Sequence, residues 1–138
     1  MYGPLKVGYG GITPAKDYGG LVALTHTFMM NPRTAGTVVY IAKPGGRIFI
    51  TDIYLGIAVA SDAATSCLLT VGRSVGNADF AAAMSLKTAA GILRPVPTGA
   101  MVNEWTAGYT GDVYFTLVTT GAATVGQVRL FFNYLQEE

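Results

Sequence analysis

Residues 47–60 read RIFITDIYLGIAVA. β-Branched and aromatic side chains dominate, and turn residues bound the run: Pro44-Gly45-Gly46 before it, Ser61-Asp62 after it. That composition and those boundaries predict a β-strand. Simple alternation sends Ile48 and Ile50 to one face and Phe49, Ile53 and Leu55 to the other. A strand that is apolar on both faces belongs in the middle of a sandwich or at a face between subunits.

Similar runs lie on either side. LVALTHTFMM (21–30) ends at Asn31-Pro32, and TVVYIAK (37–43) ends at the Pro-Gly-Gly turn. SCLLTVGR (66–73) is closed by the glycines of GRSVGN. DVYFTLVTT (112–120) alternates Val113, Phe115 and Leu117 against Asp112, Tyr114 and Thr116. GQVRLFFNYLQ (126–136) alternates Val128, Leu130, Phe132 and Tyr134 against Gln127, Arg129, Phe131 and Asn133. The segment TTGAATVG between these two reads as a hairpin loop, which predicts that they pair antiparallel. Residues 78–90, ADFAAAMSLKTAA, hold six alanines with no Gly or Pro, and Phe80 and Met84 sit four apart; this is the one short helix expected. ILRPVPTGAMVNEW (92–105) reads as an irregular edge segment, because Pro95 and Pro97 cannot occupy a central strand.

Seven or eight strands with at most one helix mean a sandwich or a barrel. The chain is longer than an immunoglobulin domain and lacks that fold's Cys…Trp…Cys spacing. The expected fold is therefore a jelly-roll-like antiparallel β-sandwich of about eight strands over residues 21–138. Residues 1–20, rich in Gly and Pro, form an extended N-terminal arm in this reading.

At 138 residues the chain is most simply one domain. Hydrophobic residues make up 51% and charged residues 12%, against roughly 25% charged in an average soluble domain. With so few ionic side chains, either much of the outside is Thr, Ser, Gly and Asn or much of it is covered by other chains; the second reading is favoured, since large permanent interfaces are apolar. A net charge of +1, with the basic residues scattered, argues against a nucleic-acid partner. No apolar run is long enough for a spanning helix, so no membrane partner is expected. The start lacks the basic-then-apolar pattern of a signal peptide, which predicts a cytosolic site of synthesis. The single cysteine, Cys67, excludes an internal disulfide and sits in an apolar run, where a buried thiol is expected.

Chemistry is sparse. His26 is the only histidine; a nucleophilic triad would need Asp52 or Asp62 and a serine brought to it, and no spacing demands that. One His and one Cys cannot build a zinc site. The acids Asp17, Asp52, Asp62, Asp79, Glu104 and Asp112 are isolated, without the Asp-x-Asp spacing of a calcium loop. The glycine stretches lack a phosphate-loop or dinucleotide pattern and read as turns. No catalytic residue, metal or cofactor is expected. Tyr2, Tyr9, Tyr18, Tyr109 and Trp105 suit either a sugar platform or a protein interface, and interfaces are where Tyr and Trp concentrate.

A small, charge-poor, all-β chain with a Gly-rich leader, carrying RIFITDIYLGIAV near its middle and GQVRLFFNYL at its end, resembles the small jelly-roll virion proteins of tailed bacteriophages, especially capsid decoration or cement proteins. The likeness spans about residues 38–135. It implies a protein assembled in the host cytoplasm that sits on the outer capsid surface as a homo-oligomer, a trimer by preference. Its partner would be the major capsid protein, whose neighbouring subunits it would clamp, and it would carry no catalytic residue. Other virion roles on the same fold are a head-fibre, tail or small coat protein; a lectin-like module that binds sugar through Trp105 is a further alternative. Within this reading the arm residues Tyr2, Leu5, Val7, Tyr9, Ile12 and Tyr18 contact the partner, and Phe49, Ile53, Leu55 and Phe131 form the subunit interface.

Overall fold

The computed structural model describes residues 20–87, 89–96 and 108–137. The arm residues Tyr2 to Tyr18, together with Glu104 and Trp105, lie outside the described residues.

Among the described residues eight strands follow one another: β1 (Leu21–Met30), β2 (Gly36–Ala42), β3 (Ile48–Val59), β4 (Ser66–Gly72), β5 (Ala81–Ser85), β6 (Gly91–Leu93), β7 (Val113–Thr120) and β8 (Gln127–Glu137). They form two four-stranded sheets in the orders β1-β8-β3-β6 and β2-β7-β4-β5, with every pairing antiparallel. The ladders nest: β1 lies on β8, β2 on β7, β3 on β6 and β4 on β5. One long antiparallel hairpin, rolled so that alternate pairs fall in opposite sheets, gives this order. It is the jelly-roll sandwich expected from the sequence.

The core fills the space between the sheets. From the first sheet come Ile48, Ile50, Ile53, Leu55, Ile57, Val128, Leu130, Phe132 and Tyr134; from the second come Leu69, Val71, Met84, Val113, Phe115 and Leu117, all buried. Phe115 meets Phe132 edge-on at 5.4 Å between ring centroids and Phe28 at 5.6 Å, an arrangement that suits the ring quadrupoles. Cys67 is fully buried, with its Sγ 3.6 Å from Thr119 Oγ1.

Three sequence expectations change. First, β7 and β8 do not pair. They lie in different sheets and face each other across the core. Alternation is the same for hairpin partners and for strands packed face to face, so the pattern alone could not separate the two cases. The loop decides. Asp62 holds its far side by accepting hydrogen bonds from the Thr124 and Val125 amides at 2.7 and 3.0 Å and from Thr124 Oγ1 at 2.6 Å. Gly121 turns the chain at φ +86°, so close to its neighbours that an added Cβ would lie 2.9 Å from Ala64 Cβ.

Second, β3 is not a plain alternating strand. Its register against β8 shifts between Ile50 and Asp52, and the bulge returns Ile53, Leu55 and Ile57 to the core face already used by Ile48 and Ile50.

Third, the expected helix is a strand. Residues 81–85 pair with β4. An isolated helix of this length gains little in water. The strand buries Phe80, Ala81, Met84 and Leu86, and hydrogen bonds from the Phe80 amide to Val71 and from the Leu86 amide to Cys67 tie both ends to β4. Pro95 follows the short edge strand β6, as the edge reading of that segment anticipates.

Candidate interaction surface

The outer face of the first sheet carries side chains that the core does not need. Register places them in rows across the strands. One row runs Thr27, Phe131, Tyr54, and Arg94, just beyond β6, continues it. Phe131 and Tyr54 stack at 4.8 Å with their rings 17° from parallel, and the Arg94 guanidinium lies over the Tyr54 ring at 5.0 Å. Arg94 is held there by Asp52, whose two carboxylate oxygens accept from Nη1 at 2.8 and 2.6 Å. Both members of that pair are substantially exposed, at 59% and 37%, so it contributes at most about 1 kcal/mol. Its main effect is to fix the guanidinium over the ring.

A second row runs Met29, Arg129, Gly56, Ile92. Ile92 is 65% exposed. At Gly56 the missing side chain leaves the flank of Phe131 open; an added Cβ would stand 3.8 Å from the ring edge. A third row pairs Phe49 with Leu135, and the Arg47 guanidinium lies 5.0 Å above the Phe49 ring. Thr25 Oγ1 donates to Asn133 Oδ1 at 2.8 Å between these rows. Aromatic, aliphatic and Arg side chains with few other charges are the composition of interface centres.

Of the four residues expected at a subunit interface, Phe49 and Phe131 are half-buried on this outer face. Ile53 and Leu55 are 1% and 0% exposed in the core and are unavailable to a partner; the β3 bulge puts them there. Sequence reading missed Tyr54, Asp52 and Arg94 as a group, since only the β3–β8 and β3–β6 registers bring them together.

The other candidates are placed elsewhere. His26 points inward on β1, stacked 6.2 Å from Phe28 and 5.7 Å from Tyr134. Asp52 is on the opposite side of that sheet and engaged by Arg94, and Asp62 is engaged by the β7–β8 loop, so neither joins His26. Hydrogen bonds, the one from Thr124 Oγ1 foremost, lower the Asp62 pKa to about 2. Burial raises the pKa values of Tyr40 and Tyr134. Tyr109 packs edge-on against Phe80 at 5.2 Å, and its hydroxyl donates to the Asp112 carbonyl at 2.8 Å, so its ring serves the packing. Among the described residues no three His, Cys, Asp or Glu side chains gather as metal ligands, and no helix is long and apolar enough to cross a membrane. A shallow cleft of about 330 Å³ lies between Arg33, Val59, Thr124, Val125 and Gly126, where Arg33 Nε donates to the Gly126 carbonyl at 3.1 Å.

The fold is shared with a solved structure. It is a chain from the capsid of Ralstonia phage GP4, with a TM-score of 0.57 and 13% sequence identity, over 87% of this chain and 86% of that one. At that identity the likeness is one of fold, and it extends over nearly the whole of both chains. No family model matches the sequence, and no curated protein matches it.

Proposed function

We propose that this protein is a structural component of a phage virion: a capsid decoration or cement protein that sits on the outer capsid surface and clamps neighbouring major-capsid subunits without covalent bonds. The observation that carries the reading is the near end-to-end fold likeness to a chain of a phage capsid. Two features of this chain support it. Only 12% of its residues are charged, and the outer face of the first sheet presents a ring stack with an Arg cover, flanked by exposed Met29 and Ile92. Such a face gains about 25 cal/mol for each Å² of apolar surface withdrawn from water, and repetition over many capsid sites multiplies the effect. The Gly-rich arm, with Tyr2, Leu5, Val7, Tyr9, Ile12 and Tyr18, is assigned to the same partner.

The test is addition of the purified full chain to preformed capsids that lack it. The protein should co-sediment, saturate at a fixed ratio to the major capsid subunit, and raise the temperature at which the shell opens. Failure to co-sediment would overturn the proposal. Closed shells formed by the chain alone would make it a coat protein instead.

A further inference from the structure

The four sheet edges are not equally protected. β6 is three residues long and runs into Arg94-Pro95; β5 is five long with a register shift against β4; β2 ends against Lys43-Pro44. Short strands, bulges, Pro and Lys are the devices that keep an edge from pairing with another chain. β1 has none of them. It is ten residues long, LVALTHTFMM, without Pro, Lys, Arg, Asp or Glu, and its ladder with β8 runs unbroken from Leu21 to Met30. Among the described residues no strand lies on its other side.

The inward side chains along this edge are incompletely covered. Leu24 pairs with buried Tyr134 and Val38 with buried Leu117, yet Leu24 is 38% and Val38 is 49% exposed. Phe28 touches Tyr40 at 5.6 Å, so β1 and β2 border the same open side of the sandwich.

We propose that β1 pairs antiparallel with β1 of a second copy about a twofold axis, joining two first sheets into one eight-stranded sheet. Side chains on one face must stay on that face, so the axis passes through a residue pair rather than between two. With the axis at His26, Leu24 faces Phe28 of the second copy, Val22 faces its Met30, and Thr25 faces its Thr27. Inside, apolar meets apolar on either side of a central His26–His26 pair; outside, hydroxyl meets hydroxyl and Ala23 faces Met29. These are favourable cross-strand combinations, and the match of the strand to itself is the reason a second copy is the occupant. The threefold association expected from the sequence would have to use another surface, such as the face bearing Phe49 and Phe131.

Native mass measurement of the full chain over a range of concentrations, combined with two variants, tests the pairing. An even number of copies is expected. His26→Cys should cross-link into covalent dimers on mild oxidation, because facing Cα atoms lie about 4.5–5.5 Å apart, within disulfide reach, and Cys67 is buried. Leu24→Lys puts a charge on the inward side of the edge; it should weaken dimerisation at least about tenfold while the melting curve of the protomer stays cooperative. A monomer or a trimer at the highest soluble concentration would overturn the proposal. So would an even-numbered assembly that Leu24→Lys leaves intact and in which His26→Cys does not cross-link. The capsid-addition assay is scored separately, so either reading can fail alone.

Discussion

Replacing Gly121 by Ala tests the crossing of the chain between sheets, and replacing Gly76 by Ala is its internal control. Both glycines have positive φ, +86° and +80°, so both substitutions carry the conformational cost of a Cβ there, about 1–2 kcal/mol. They differ in space. Around Gly76 nothing lies within 4 Å of the new Cβ; at Gly121 it would stand 2.9 Å from Ala64 Cβ and 3.0 Å from the Thr65 amide nitrogen. Backbone cannot swing aside as a side-chain tip can, and overpacking of this kind adds about 1–3 kcal/mol. Gly121→Ala should therefore cost about 2–5 kcal/mol and Gly76→Ala about 1–2. For a chain of this length 1 kcal/mol corresponds to roughly 3–4 °C in Tm. Thermal unfolding followed by circular dichroism should place Gly121→Ala well below Gly76→Ala, with urea midpoints in the same order. Equal losses would mean that the β7–β8 connection does not press on residues 64 and 65, and the placement of β7 and β8 in opposite sheets would lose its support.

Other perturbations have outcomes that can be read with standard assays. Asp62 has its pKa lowered from 3.8 to about 2, so its contribution to stability is complete above pH 4 and disappears as the pH falls through 2; a Tm–pH profile of Asp62→Asn should lack that part of the acid-side decline. A double-mutant cycle on Phe115→Leu and Phe132→Leu should return a coupling of about 0.5–1.5 kcal/mol in urea unfolding, because the two rings touch across the core. Arg94→Ala should lower stability by no more than about 1 kcal/mol while reducing retention on capsids in co-sedimentation. Stability lost without any change in retention would remove this face from the clamp.

How far the sequence could be read depended on whether the deciding interaction was local. β1 ends at Met30 just before Asn31-Pro32, β4 ends at the glycine of its turn, Gly72, and β8 begins just after Gly126, because Pro, Gly and Asn act on their own backbone. The inward sets on β7 and β8 followed from alternation. Whether those strands lie side by side or face to face did not, because the choice is made by Asp62, some sixty residues upstream of the loop it holds. The bulge in β3 inverted the expected orientation of Ile53 and Leu55: one extra residue at Thr51 is invisible to a pattern of period two. Residues 81–85 carry helix-forming alanines, and pairing with β4 overrode that preference through the burial of Phe80, Met84 and Leu86. Phe49 and Phe131 lie half-buried on the outer face, on the side of the sheet away from Ile53 and Leu55. Tyr54, Asp52 and Arg94 could not be grouped with Phe131 before the register was known.

The most direct measurement is a cryo-EM difference map between capsids with and without this protein. Added density the size of one sandwich domain per chain is expected on the outer surface, bridging neighbouring major-capsid subunits. Density confined to the shell interior or to the tail, or no added density at all, would contradict it.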